Sequence, residues 1–278
     1  EGSINAGGND SSSDFYGSFT GDLIKSGSGT LRLYGTIAPL SPVDAVLLIA
    51  GGTLRLNSAE RIQDQLAVSV SGGAVLDLND YNETIGSLAG AGNVSFGFGF
   101  GNSLTVGSNV NDTVFLGQLT GTGAIGFYSL IKTGGGMLTL SGSSSASIMV
   151  NDGIVKLGTS GVINDQAGVT VNFPGVFHLD NRVDGILFLQ GNGGVELGSG
   201  TLTVGPSQGV FASDYTFSGE IAVGAGGLTK VGSNIFTLNG PNSYTGQTNI
   251  NGGTLRISGT IGESSAVTVS TGATLQVD

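Results

Sequence analysis

Apolar and polar residues alternate along this chain in short, clean bursts. Leu76 and Leu78 flank Asp77, Phe177 and Leu179 flank His178, and Leu275 and Val277 flank Gln276. Apolar side chains two residues apart around a polar one share one face of an extended strand, so each burst predicts a half-buried β-strand. Strands of about five residues, bounded by Gly, Asn, Asp or Ser, recur with no helical pattern between them.

The bursts also keep phase. Leu54 to Leu76 is 22 residues, Val155 to Phe177 is 22, and Leu255 to Leu275 is 20. A longer copy overlies this fine period: "GDLIKSGSGTLRLYG" at 21–35, "YSLIKTGGGMLTLSG" at 128–142 and "GGLTKVGSNIFTLNG" at 226–240. These align Leu23, Leu130 and Leu228, then Lys25, Lys132 and Lys230, then Gly35, Gly142 and Gly240, at offsets of 107 and 98 residues. An antiparallel sandwich does not repeat in phase every twenty residues, whereas a coil of three short strands does. The sequence predicts an all-β chain: one continuous right-handed parallel β-helix (a solenoid) over residues 1–278. It should have about 14 coils of roughly 20 residues, a length of about 65 Å, and a higher-order repeat of about 100 residues, or five coils. The long-repeat phases start near 21, 128 and 226. Both ends read as mid-repeat, so the expectation is a fragment of a longer rod.

Composition narrows the partners. Glycine supplies 52 residues, charged residues only 10%, and the net charge is −11. Nucleic acid and anionic membrane surfaces need clustered Lys and Arg, so neither is expected as a partner. Without cysteine, no disulfide framework or thiolate metal site exists. The longest apolar run, "AVLLIA" at 45–50, is too short to span a bilayer, so no direct membrane insertion is expected from this segment.

Copies differ mainly in their loops, where binding residues are most readily grafted. The stretch 36–51 is longer than its counterparts, making Leu40, Val46 and Leu47 candidate partner contacts. A second insertion, "SFGFGFGN" at 95–102, stands where another copy reads "VELGSGT"; Phe96 fits the core, and Phe98 and Phe100 fall in extra length as candidate contacts. Catalytic chemistry is thin. His178 is the single histidine and occupies an outward strand position, read as a surface residue without a role. Asp180, Arg182 and Asp184 form a candidate calcium or glycan loop. Their counterparts around Asp77, Asp80 and Glu83 lie about 24 Å away along the rod, too far to share one site. The three aligned lysines read as stems packed beside Leu with the ammonium in water. No cofactor and no catalytic residue is expected.

The third copy carries Leu228, Lys230 and Gly232, then Phe236 and Leu238, then Asn242, Tyr244 and Gly246, then Thr248, Gly252, Gly253 and Leu255. This pattern resembles the passenger-associated repeat of bacterial autotransporters, more closely here than at 21–56 or 128–157. The resemblance implies secretion or display on the bacterial cell surface, an extracellular β-helix, and adhesion, aggregation or display as its use. The resulting expectation is a non-enzymatic adhesive rod that contacts glycans or other cell-surface molecules. Two alternatives stay open: a subunit of a self-assembling filament, binding itself end to end, and a secreted polysaccharide-processing enzyme on the same scaffold.

Overall fold

The computed structural model describes residues 4–6, 11–20, 22–38, 45–123, 127–205, 213–222, 224–262 and 266–278. Among the described residues the regular structure is all strand, in segments of two to four residues, and every strand pairing is parallel. Three faces run the length of a solenoid. One carries an 11-stranded sheet from Ile4–Ala6 to Glu220–Ala222, and the second a 10-stranded sheet from Glu83–Ile85 to Thr274–Val277, preceded by the short pair Ser18–Phe19 and Thr36–Ile37. The third is an 8-stranded sheet that hands over to a 5-stranded one where Val162–Ile163 meets Val183–Ile186. The stack amounts to about 12 turns, slightly fewer than length alone suggests.

The alternation in the sequence is the cross-section of this rod. Strands such as Thr30–Leu33, Thr53–Leu56 and Met137–Leu140 bury every second side chain. Parallel register then stacks like on like: Leu31 on Leu54, Leu54 on Leu76, Leu76 on Val94. Each fully buried Leu or Val contributes about 1.5–3 kcal/mol relative to exposure. Phe96 is in the core as expected and stacks on buried Tyr128, ring centroids 4.9 Å apart.

The long repeat does not close after five coils. From Leu23–Lys25 in the 11-stranded sheet, four returns to that sheet reach Thr113–Phe115, and two further strands reach Ser129–Lys132 in the 10-stranded sheet. From there, four returns reach Tyr215–Phe217, and two more strands reach Gly227–Lys230 in the 5-stranded sheet. Each copy therefore begins one face away from the last. The cause is loop length. Partners Leu23 and Leu47 are 24 residues apart, Leu47 and Val68 are 21, Val68 and Leu88 are 20, and Gly90 and Phe115 are 25. Coils longer than twenty residues use up the repeat before a fifth is complete.

Candidate functional site

Inside the rod, the repeat's polar residues tie coils together. Lys25, Lys132 and Lys230 are fully buried, which corrects the expectation that their ammonium groups reach water. Each side chain takes an inward strand position and curls into a turn whose carbonyls converge on it. Lys25 Nζ donates to the carbonyls of Ser26 (2.7 Å), Gly27 (3.0 Å) and, one coil on, Gly51 (2.9 Å). Lys230 Nζ donates to Val231 (2.6 Å), Gly232 (3.0 Å) and Gly252 (3.3 Å), and to Asn234 Oδ1 at 3.1 Å. Lys132 makes the same contacts with Thr133, Gly134 and Asp152. The glycines of the motif serve this cage. Gly27 and Gly52 sit at φ +72° and +60°, and a Cβ on Gly52 would lie 2.5 Å from the Gly27 carbonyl. Burial lowers the Lys132 pKa and takes that of Lys230 down to about 8.

Two buried acids do the complementary job. Glu83 takes the inward place that Leu104 holds in the next coil, and its two oxygens accept from the Arg61 and Ile62 backbone N–H groups, each at 2.9 Å. Burial pushes its pKa up to about 8. Asp184 is the equivalent residue one copy later. It accepts from the Ile163 N–H at 3.0 Å, and burial raises its pKa to about 6. Beside it lies a shallow cavity of about 310 Å³, lined by Asp165, Gly185, Thr203 and Val231 among others. The first copy has Thr84 where this one has Gly185.

Asp180, Arg182 and Asp184 are adjacent in sequence but point to different partners. Asp180 pairs with Lys156 at 3.2 Å, Arg182 donates to the Thr159 carbonyl, and Asp184 is held inside the coil. Among the described residues, no cluster of three His, Cys, Asp or Glu side chains could hold a metal ion. His178 proves to have a local task. Its Nδ1 accepts from the Asp180 N–H at 3.0 Å, closing a turn that Asp77 closes on the Asn79 N–H in the first copy, while Nε2 lies 3.2 Å from Glu196. The turn residues Asn79, Asp80, Asp180 and Asn181 all adopt positive φ.

On the surface, Phe98 and Phe100 are 68% and 71% exposed, and Phe100 meets Phe127 edge-on with centroids 4.9 Å apart. The loop is pinned below by the Asp80 carboxylate, which accepts from the Gly99 N–H. Val46 is 41% exposed. Leu47 is not a contact residue: parity turns it inward, where it is wholly buried against Leu23 and Val68. Leu40 lies outside the described residues. A feature missed in the sequence is the exposed pair Tyr16 and Tyr34, whose rings stack at 4.6 Å. Their shared place one coil apart, just after paired strands, was the available signal.

A parallel solenoid whose copies each carry a Lys-centred turn is a recognisable class. The stretches 23–36, 130–157 and 228–257 match the model of the passenger-associated-transport-repeat family, so the chain carries three matches to this repeat. It is 33% identical over 275 residues to the adhesin BmaC autotransporter of Brucella suis biovar 1 (strain 1330), a match covering 93% of this chain. The chain spans 7% of that relative's length. No solved structure matches it.

Proposed function

We propose that this segment is a non-enzymatic attachment and display rod of an extracellular passenger, at the bacterial cell surface or secreted from it. The observation that carries the reading is the Phe98–Phe100 insertion, two large aromatics held in water on a loop that another copy lacks. Exposed aromatics on a rigid support act as anchors for a partner, because they cover much apolar area at low entropic cost. Asp180 and Asp184 support the same reading, since both are engaged in holding the coil. Weak contacts of this kind gain strength when many are presented along one rod. Glycans or proteins of an opposing surface are the partner class.

Beads coated with the chain should adhere to host-cell monolayers, and F98A/F100A should reduce bound beads about tenfold. Undiminished adhesion by the double variant would remove the Phe loop as the anchor.

A further inference from the structure

The chain has nine Lys and Arg against 20 acids, and three of those nine are the buried lysines. Of the remaining six cations, two stand side by side. Arg32 and Arg55 are direct partners on adjacent strands, with side chains 42% and 44% exposed. Like charges opposite one another on paired strands repel and cost stability. Here they are flanked rather than separated: Asp14 lies 3.3 Å from Arg32 and Asp77 lies 3.6 Å from Arg55. The rungs read Asp14, Arg32, Arg55, Asp77 along the rod.

Two residues further along the same coils, Tyr16 and Tyr34 form their stacked pair, with Tyr16 71% exposed. Arg61 reaches this corner as well, its Nη1 donating to the Tyr34 carbonyl at 3.4 Å. On the next rung the side-chain oxygen of Asn57 is buried without a hydrogen-bond partner. The result is an open ledge with paired guanidinium groups along one line and aromatic rings along the other.

We propose that this ledge binds a carboxylate-bearing polysaccharide, a polyuronate chain lying along the rod. Each guanidinium has five N–H donors in a planar fork that suits carboxylate geometry; Asp14 engages part of the Arg32 fork, and Asp77 together with the Asn79 side-chain oxygen engages part of the Arg55 fork. The stacked tyrosines turn their ring edges and phenol O–H groups outward along the rod, amphipathic ground for sugar C–H and hydroxyl groups. The ledge is open across adjacent coils, which fits an extended polymer rather than an enclosed small molecule. A net charge of −11 keeps general polyanion binding weak, and Asp14 and Asp77 balance the arginine pair, so selectivity rests on the directed donors of the two forks rather than on net local charge. The inference rests on the attachment reading and names a ligand class for a second surface, separate from the Phe98 loop.

The test is native affinity electrophoresis of the 278-residue chain in gels containing polygalacturonate, dextran sulfate or neutral dextran. The expected result is retardation by polygalacturonate that weakens with added salt, and none by neutral dextran. R32Q/R55Q should weaken retardation about tenfold. Y16A/Y34A should also weaken it, and both variants should keep the parent's far-UV circular dichroism. No retardation by polygalacturonate, equal retardation of R32Q/R55Q, or stronger retardation by dextran sulfate overturns the proposal. Cell adhesion separates this failure from that of the attachment reading. If R32Q/R55Q beads adhere normally while polygalacturonate binding is absent throughout, only the ligand assignment falls.

Discussion

Glu83 and Asp184 occupy the same place in successive copies, yet they are held differently. Glu83 reaches far enough for each oxygen to take a separate backbone N–H, and Thr84 follows it. Asp184, one methylene shorter, takes the Ile163 N–H from the coil below and otherwise only the N–H of its own neighbour Gly185, which lies beside a cavity. The difference teaches how a solenoid tolerates divergence. The duty of accepting N–H groups from the coil below is kept, and the loss of reach appears as empty space at the surface. The lysines obey the mirror rule, placing a cation where turn carbonyls converge.

The comparison can be broken most directly by removing the acids. Glu83→Ala leaves two buried N–H groups without an acceptor and should cost about 2–4 kcal/mol, read as faster hydrogen exchange at the Arg61 and Ile62 amides. Asp184→Ala should cost about 1–3 kcal/mol, centred on the Ile163 amide. If the Asp184 variant is the more damaged, reach is not what distinguishes the two.

Titration sharpens the contrast. The folded chain holds the Glu83 proton more tightly than the unfolded chain, with the pKa raised from 4.5 to about 8. This contribution to stability is full below pH 4.5 and is lost as pH rises through about 8. For Asp184 the loss comes between pH 3.8 and about 6. Lys230 acts in the opposite sense: its pKa is lowered from 10.5 to about 8, so stability rises with pH across that interval. Urea midpoints for the parent and Glu83→Gln should lie close together at acid pH and diverge as pH rises through about 8, the parent falling, because the amide resembles the protonated acid and cannot ionise. Parallel curves would show that Glu83 does not carry the slope.

The smallest effect concerns the residue after each acid. Gly185→Thr should cost about 1 kcal/mol, because its Cβ would sit 2.8 Å from Asp165 Oδ1 and the carboxylate must shift. Thr84→Gly should cost a similar amount through backbone entropy. A Gly185→Thr variant as stable as the parent would mean the cavity accepts a side chain freely.

Much of this is legible in the sequence. Period-two alternation places the core leucines and Phe96 correctly. The same parity places Lys25 two residues from Leu23 and Glu83 two residues from Ile85, both facing inward. Charge argued against that placement, but the alternation was the better guide, because turn carbonyls and loop N–H groups supply partners that no sequence displays. Parity also turns Leu47 inward despite its long loop. The rotation of the repeats was not legible, since it depends on where each coil's extra residues are accommodated. The tyrosine ledge was hidden for a related reason: Tyr16 and Tyr34 become neighbours only once the coil length is known.

That rotation has an evolutionary reading. Duplicating or deleting one repeat would lengthen or shorten the rod by four coils and two strands, and would also turn everything beyond it by one face. A single recombination event can thus re-aim a whole set of loops without changing any residue in them. A lineage could vary the direction in which its surface features point while the buried lysine turns stay as they are.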